Sequence, residues 1–329
     1  MAEVTETFLR DQLVTRREKL QSAIALSPRA EGLLQLLNEV DTALERMQAG
    51  TYGICEECHE SIEKERLIND PLIRFCLDHL NASERRALEA DLELAAQIQK
   101  ELLPKPEVSF DGWEVAYHYQ PLGPVSGDYC DLVLPSRESK SLFFLLGDAA
   151  GKGVAASMLM SHLHAILRTL ISTGLPVHQL VERASRIFCE TTMAPYFATL
   201  ICRRADAAGE IEMSNAGHCP ALLLRDGTAE RLEATGVPLG LFCSGVYPSR
   251  HVHLDRGDTL FLFTDGFVES RSPAGAEHGE ARFLIQTLSR HRPLPPRELI
   301  QACLEDLAAF RSTTPLADDL TVMVVRRTG

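Results

Sequence analysis

The sequence predicts an α+β protein in which a helical N-terminal third precedes a larger part built from two stacked β-sheets. Leucines recur at helical spacing before residue 48, and β-rich runs alternate with helical segments after residue 107. Apolar residues make up 45% of the 329 positions, which supports a sizeable core and more than one domain.

Residues 1–49 are predicted to form a helical hairpin with coiled-coil packing. Ser27-Pro28 interrupts the helical pattern between its two arms, since proline cannot continue a helix. Alternating four- and three-residue apolar spacing marks the second arm, at Leu33, Leu37, Val40, Leu44 and Met47, and the first arm fits a similar seam, at Leu9, Leu13, Leu20 and Ile24.

Residues 50–82 carry four candidate zinc ligands. The pairs Cys55-Glu-Glu-Cys58 and Cys76-Leu-Asp-His79 are separated by seventeen residues, a spacing typical of a tetrahedral zinc site. His59 directly follows Cys58 and is the weaker candidate for the fourth ligand.

The remaining cysteines are expected to be buried, reduced thiols. They are dispersed singly and mostly in apolar segments, at positions 130, 189, 202, 219, 243 and 303. The sequence shows no signal peptide and no long apolar span, so we expect a cytoplasmic protein, in which CxxC pairs bind metal rather than form disulfides.

Residues 83–106 are expected to form a connecting helix. No helix breaker occurs between Ser83 and Leu103, and Pro104 and Pro106 end the segment. Its place between two modules favours a dimer-forming helix that transmits a signal, and a solvated spacer is the alternative.

Residues 107–329 are predicted to form two mainly antiparallel sheets with helices outside. The helices are expected at residues 154–172, 177–190 and 297–310. The strands are expected at residues 114–119, 129–134, 142–147, 198–203, 211–214, 221–224, 260–263 and 321–325.

Aspartates stand at the ends of several of these strands, in Gly127-Asp128, Gly147-Asp148, Thr264-Asp265-Gly266 and Asp318-Asp319. Each such pair is also a common turn former without any function. Carboxylates that converge on one edge would repel one another, so we expect Mg²⁺ or Mn²⁺, which prefer oxygen ligands, to hold them. The pattern favours metal-assisted hydrolysis.

The segment from Gly147 to Gly153, GDAAGKG, is a small-residue turn that lets backbone approach a ligand closely. It lacks the spacing of a nucleotide-binding P-loop, because Leu146 stands where glycine is needed and Gly153 where serine or threonine is needed. A nucleotide triphosphatase is therefore not expected.

Eight motifs occur in order between Asp91 and Arg327. They are LAAQIQKELLP, PVSGDYCD, GDAAGKGVAASMLM, FATLICRR, NAGHCPALLLR, GVPLGLF, GDTLFLFTDGFVES and ADDLTVMVV. In this order they resemble the SpoIIE/RsbU-type branch of the metal-dependent serine/threonine phosphatases (PPM, or type 2C).

This resemblance implies an αββα sandwich and a site for two Mn²⁺ or Mg²⁺ ions. Asp148 would bridge both ions, and the Ala149 carbonyl would complete the shell of one. Asp265 and Asp318 would hold the other ion, with Asp128 nearby, binding metal directly or through water. The catalytic set is then Asp128, Asp148, Asp265 and Asp318.

Other polar residues of the motifs are weaker candidates. In the tandem Asp318-Asp319 the first residue aligns with the family's metal position, and Asp319 is the alternative ligand. Lys152 lies at the mouth of the metal loop, where it can meet a phosphate. His218 is a candidate for orienting substrate, although a lone histidine in a turn is more often structural.

The segment from Gly50 to Leu80 resembles the DksA/TraR zinc finger, with His79 where cysteine is the commoner fourth ligand. DksA proteins carry acidic residues at the tip of a long hairpin for RNA polymerase. Here the tip, Ala25 to Gly32, reads ALSPRAEG and has no paired aspartates, which argues against a role in the polymerase channel.

The sequence therefore predicts a metal-dependent protein-serine/threonine phosphatase controlled by an N-terminal zinc module. The resemblance implies a phosphorylated STAS-domain anti-anti-sigma factor as substrate, and we expect a homodimer. The alternative is a DksA-like, RNA polymerase-binding transcription regulator with a scaffold phosphatase domain. A net charge of −13 and a pI near 5.3 argue against nucleic acid as a partner, and no membrane partner is expected.

Overall fold

The computed structural model describes residues 2–26, 31–79, 82–134, 141–192, 196–279 and 284–329. The chain divides into two compact units, Met1–Asp91 and Leu92–Gly329.

The N-terminal unit begins with two paired helices, α1 (Ala2–Leu26) and α2 (Glu31–Gln48). The leucine spacing predicted this pairing, whereas the predicted break at Ser27-Pro28 lies outside the described residues. The buried side chains of their shared cluster are Leu13, Leu20, Val40 and Ala43. Supercoiling of the two helices remains a prediction.

Residues 50–79 form a small module with little regular structure. It contains a short helix, α3 (Lys64–Asn69), and a single 3₁₀ turn, Leu77–His79. Helix α4 (Ala82–Leu102) follows, and each of its ends lies within one residue of the breaker-free stretch Ser83–Leu103.

The C-terminal unit contains two antiparallel sheets. Among the described residues, the first sheet consists of β1 (Glu107–Phe110), β2 (Trp113–Gln120), β7 (Ala221–Arg225), β8 (Thr228–Leu232), β10 (Thr259–Phe263) and β11 (Leu320–Arg327), in the order β1-β2-β11-β10-β7-β8. The second consists of β3 (Asp128–Val133), β4 (Ser141–Ala149), β5 (Ala198–Asp206), β6 (Glu210–Ala216) and β9 (Arg250–His253), in the order β3-β4-β5-β6-β9.

Helices cover the outer faces of both sheets. On the second sheet, α5 (Gly153–Ile171) and α6 (Val177–Thr191) share a buried cluster with β4 and β5. A short helix, α7 (Asp265–Val268), follows β10. On the first sheet, α8 (Ile285–His291) and α9 (Pro296–Arg311) pack against β10 and β11. A third cluster fills the space between the sheets, so the unit is the expected αββα sandwich.

Helix α5 corrects the expectation that the chain has no long apolar span. By length and composition it is the one described helix that can cross a membrane. It buries Ala156, Met160, Leu163 and Leu167 in the core of the C-terminal unit, and a core helix meets the same criteria as a membrane span.

The structure also corrects the expectation for the cysteines. Cys130, Cys202 and Cys303 are buried free thiols, as predicted. Cys189 and Cys243, however, form a disulfide. They are 54 positions apart in the sequence, so no local spacing marks them as a pair.

Candidate functional site

The strand ends bring the predicted aspartates to one edge of the sandwich. Asp128 opens β3 and lies opposite Asp148 on β4 in the antiparallel register. In the other sheet, β10 ends just before Asp265, and β11 begins just after Asp318 and Asp319. Because β10 and β11 are also antiparallel neighbours, these three residues share one end of that sheet.

Asp128 connects the two sheets from the inside. Its side chain is 1% exposed. Its Oδ2 accepts a hydrogen bond from Thr264 Oγ1 at 3.0 Å and another from Thr321 Oγ1. Burial, and next the Asp148 carboxylate, raise the pKa of Asp128 well above its usual range. The sequence analysis did not single out these two threonines, although both lie in the quoted motifs.

Asp148 lies close to several other carboxylates of the site. Burial, then the carboxylates of Asp265, Asp318 and Asp319, raise its pKa to about 7, and Lys152 opposes them. Burial and Asp318 raise the pKa of Asp265 as well. This is the electrostatic condition that a divalent cation relieves.

Asp318 and Asp319 have different surroundings. Asp319 accepts backbone N–H hydrogen bonds on both carboxylate oxygens, from Leu122 at 2.7 Å and from Gly127 at 2.9 Å. Asp318 Oδ2 instead lies 2.6 Å from Lys152 Nζ. Asp319 therefore fastens the loop before β3, whereas Asp318 faces the acidic cluster.

Two glycines permit the close approach of these segments. A Cβ on Gly127 would lie 3.1 Å from the Ala149 carbonyl oxygen and 3.3 Å from Asp148 Oδ1. A Cβ on Gly266 would lie 2.0 Å from the Asp319 carbonyl oxygen, which no side chain can accommodate. Ala149 itself is buried, and its N–H donates to the Gly127 carbonyl at 3.1 Å.

The donor set fits divalent cations such as Mg²⁺ and Mn²⁺, because it consists of carboxylate and carbonyl oxygens. The carboxylate oxygens of this set are not all close together. Within the described part of the chain, one group of three or more candidate ligands has its atoms within 4.8 Å of one another, and that group is Cys55, Cys58, Cys76 and His79. Lys152, whose side chain is 61% exposed, opposes the negative charge at both Asp148 and Asp265.

His218 is buried beside Thr199, the register partner of Asp148. It is 6% exposed, and its Nδ1 lies 2.8 Å from Thr199 Oγ1. The backbone N–H of His218 donates to Asn215 Oδ1 at 2.8 Å. Burial, and then the nearby Arg203 guanidinium, lower the pKa of His218 to about 3, so the ring is neutral near pH 7.

The second site lies in the N-terminal unit, where Cys55, Cys58, Cys76 and His79 come together. Cys58 Sγ is 3.7 Å from Cys76 Sγ, and Cys76 Sγ is 3.3 Å from His79 Nδ1. Two sulfurs bound to a tetrahedral zinc lie about 3.8 Å apart, so the cluster fits the ion. His59, the weaker candidate, is exposed and lies outside the cluster.

Backbone donors favour a thiolate at Cys55. Burial alone would raise the pKa of this thiol. The backbone N–H groups of Cys58, Cys76 and Glu57 outweigh burial and lower the pKa to about 6. A thiolate is the form that binds zinc.

Comparison with known proteins finds a relative or a family for each of the two units. The sequence matches the Stage II sporulation protein E (SpoIIE) family over residues 138–328 and the prokaryotic dksA/traR C4-type zinc finger over residues 50–78. Phosphoserine phosphatase RsbU of Bacillus subtilis (strain 168) is 26% identical over 247 residues, which cover 74% of this chain and 72% of RsbU.

Two solved structures share the sandwich. The SiaA-PP2C domain of Pseudomonas aeruginosa has a TM-score of 0.65 at 19% identity, covering 75% of this chain and 99% of that one. The RsbU and RsbW domains of Rv1364c from Mycobacterium tuberculosis have a TM-score of 0.57 at 27% identity, covering 69% of this chain and 62% of that one.

The αββα fold and the converging aspartates define a serine/threonine phosphatase of the PP2C class. The SpoIIE match spans more than half of the sequence, and the chain belongs to the SpoIIE family. Its N-terminal unit adds a zinc finger of the dksA/traR type.

Proposed function

We propose that this phosphatase removes phosphate from a phosphoserine or phosphothreonine of a regulatory protein and that two Mn²⁺ or Mg²⁺ ions assist it. The proposal rests on the convergence of Asp148, Asp265 and Asp318, whose mutual repulsion needs cations. These three carboxylates and the Ala149 carbonyl would hold the ions. Bound there, the ions would supply Lewis-acid stabilisation of the phosphoryl oxygens and lower the pKa of the attacking water.

The protein's own residues would orient the reacting groups. Asp128 receives two threonine hydroxyls on one oxygen, which fixes its carboxylate beside Asp148. Asp319 is occupied by backbone N–H groups, which favours Asp318 as the ligand. Lys152 has an exposed side chain at the mouth of the site and can contact an incoming phosphoryl oxygen through its ammonium group.

We propose a phosphorylated STAS-domain anti-anti-sigma factor in a partner-switching pathway as the substrate. Two findings support this choice: the relative RsbU is named a phosphoserine phosphatase, and the M. tuberculosis relative joins RsbU and RsbW domains in one chain. Such a system would operate in the cytoplasm, away from membranes and nucleic acid.

We also propose that the protein is a homodimer in which α4 contributes to the contact. Leu94 and Ile98 lie one helical turn apart on α4, and each is 56% exposed. A second copy of the helix would cover this apolar pair.

The alternative function, an RNA polymerase-binding regulator with a scaffold phosphatase domain, has less support. A scaffold would not need four strand-end aspartates in one negative field. Hydrolysis of a phosphorylated substrate in the presence of Mn²⁺ distinguishes the two functions.

The decisive variant is Asp148→Asn. It should abolish Mn²⁺-dependent hydrolysis of p-nitrophenyl phosphate and of a phosphoserine protein, because it removes a carboxylate that would help to hold the ions. Asp226→Asn is the matched control. Asp226 is an exposed turn residue with a φ of 47°, a conformation that asparagine tolerates. Full activity of Asp148→Asn, or activity that survives EDTA, would refute the two-metal site.

A further inference from the structure

We propose that Cys189 and Cys243 form a redox modification site, a reversible disulfide that controls the order of the loop beside the acidic site. The loop comprises residues 236–247 and is called the clip loop below. The predicted effect on catalysis rests on the proposed phosphatase function, whereas the disulfide chemistry and the loop order do not.

The geometry places the two thiols for exchange with a small reagent. Their Cα atoms are 5.3 Å apart, within the range that a disulfide spans. Cys189 is half-buried in the last turns of α6. Cys243 is exposed on the clip loop, next to Phe242, which is 58% exposed. A small thiol or disulfide can therefore reach Cys243 first.

The clip loop is attached directly to the strand beside the acidic site. Leu239 and Ala198 exchange two backbone hydrogen bonds, of 3.0 and 2.7 Å. Ala198 is in turn the register partner of Ala149 on β4, and its neighbour Thr199 is the partner of Asp148. A change in the order of the clip loop thus reaches the candidate ligands through one strand.

Contacts with α6 flank the disulfide on both sides. Gly240 N–H donates to Ser185 Oγ at 3.3 Å, and the Tyr247 hydroxyl lies 2.8 Å from the same Ser185 oxygen. Between these anchors, the disulfide is the covalent link from the exposed segment 241–246 to α6. Reduction would release this segment, which carries the exposed side chains Leu241, Phe242 and Val246.

The zinc finger of the same chain indicates that the disulfide is reversible. Cys55, Cys58 and Cys76 must be reduced to bind zinc, so the protein works where thiols persist. In that environment a disulfide is not permanently fixed, and its oxidation state follows the surrounding thiol–disulfide balance.

A low-molecular-weight disulfide is the oxidant that converts the two thiols into the disulfide. The Cys243 thiolate attacks the small disulfide, forms a mixed disulfide and releases one small thiol. The Cys189 thiolate then attacks the Cys243 sulfur and releases the second. Two protein thiols lose two electrons and two protons, and the small disulfide gains them to become two thiols.

The test uses the full-length, zinc-loaded protein equilibrated with mixtures of reduced and oxidised glutathione. Alkylation followed by peptide mass analysis should show Cys189 and Cys243 becoming protected together as the oxidised fraction rises. Hydrogen exchange over residues 236–247 should be faster in the reduced protein. Turnover of p-nitrophenyl phosphate with Mn²⁺ should fall on reduction by on the order of tenfold, since displacing catalytic groups is costly.

Matched variants separate the disulfide from other thiol effects. Cys189→Ser and Cys243→Ser should behave like the reduced protein at every glutathione ratio. Cys303→Ser, which removes a buried thiol in α9, should keep the full redox response. Zinc content is measured in every arm, so that loss of metal from the finger is recognised.

Three results would overturn the proposal: alkylation of both cysteines at every ratio, identical exchange over the clip loop in both states, or an unchanged redox response of turnover in Cys189→Ser. If the wild type hydrolyses nothing in either state, the proposed phosphatase function fails. Alkylation and hydrogen exchange still decide whether the disulfide is reversible.

Discussion

At the scale of single residues, the space between the two sheets holds two ionisable groups, of which one is hydrogen-bonded and the other is not. Asp128 receives two hydroxyl hydrogen bonds. Arg203 on β5 is fully buried, and none of its guanidinium nitrogens has a hydrogen-bond partner within the described chain. Its guanidinium carbon lies 5.8 Å from the centre of the Phe144 ring. Burial lowers the pKa of Arg203 to about 9, and a buried polar group without partners costs free energy.

Replacing this arginine should therefore stabilise the phosphatase unit. We expect Arg203→Met to raise the free energy of unfolding by about 1–3 kcal/mol, because a buried polar group without partners costs that much. Urea unfolding followed by the fluorescence of Trp113, the single tryptophan, measures it. The control is Arg204→Met, which breaks a 2.7 Å ion pair with Glu212 and should destabilise. A loss of stability in Arg203→Met would contradict the prediction.

His218 should make the phosphatase unit sensitive to acid. Its pKa is about 3 in the fold, against about 6.5 in an unfolded chain. Between these values the unfolded state binds the extra proton, so stability is complete above pH 6.5 and is lost as the pH falls towards 3. The contribution is at most about 1.4 kcal/mol per pH unit.

Urea unfolding followed by Trp113 fluorescence, at several pH values between 5 and 7.5, checks this expectation. His218→Gln should show a smaller loss of stability on acidification than the wild type. His251→Gln, at an exposed histidine of β9, should follow the wild type. A wild-type slope in His218→Gln would mean that other groups cause the acid sensitivity.

At the scale of elements, the sequence predicted the inner strands and the fully buried edge strand β3, and it missed the other three edge strands. The missed strands β1, β8 and β9 lie at sheet edges and leave most of their side chains at least partly exposed. An edge strand needs no continuous apolar run, because only one neighbour and one face constrain it. Its presence depends on a partner that the local sequence does not reveal.

The residues of the candidate sites also fall into those that local motifs predict and those that they do not. The aspartates and the zinc ligands were predictable, since their motifs are local and each has a recognisable spacing. Thr264 and Thr321 were missed as partners of Asp128, which lies more than 130 positions from either. The Cys189–Cys243 pair was missed for the same reason. Side chains that meet only through tertiary folding leave no local signal.

The fold of the zinc module should depend on its metal. Cys55→Ser should lose the metal and loosen residues 50–79, because zinc supplies about 10–16 kcal/mol of the folding free energy of small fingers. Elemental analysis should find one zinc per wild-type chain and little in the variant, and hydrogen exchange should be faster over the module.

Cys303→Ser is the control for this prediction, since it removes a buried thiol of the phosphatase unit and should retain the zinc. A wild-type protein purified without zinc would contradict the assignment of the cluster.

At the scale of the whole molecule, α4 is bound to the loop before Asp128 through one buried side chain. Gln99 is 5% exposed. Its amide donates to the Ser126 carbonyl at 2.7 Å and accepts from the Ser126 N–H at 3.0 Å. Ser126 precedes Gly127, whose N–H is bound by Asp319, and Asp128 follows. A shift of α4 would therefore move the loop that carries Asp128.

We expect Gln99→Ala to lower the turnover of p-nitrophenyl phosphate by up to about tenfold. Two hydrogen bonds of about 0.5–1.5 kcal/mol each hold the loop, and 1.4 kcal/mol of lost transition-state stabilisation corresponds to tenfold in rate. The free energy of unfolding, followed by Trp113 fluorescence, should change little by comparison. Gln97→Ala, at an exposed position of the same helix, is the matched control and should retain full turnover.

Two truncations extend the prediction to regulation. A chain that starts at residue 82 keeps α4 and Gln99, whereas one that starts at residue 107 lacks both. The first should form a dimer by light scattering and turn over at a rate that differs from the full-length protein, since the zinc module no longer acts on α4. The second should be monomeric and as slow as Gln99→Ala. Equal rates in all three chains would reduce α4 to a spacer and leave the zinc module as a docking site for a partner.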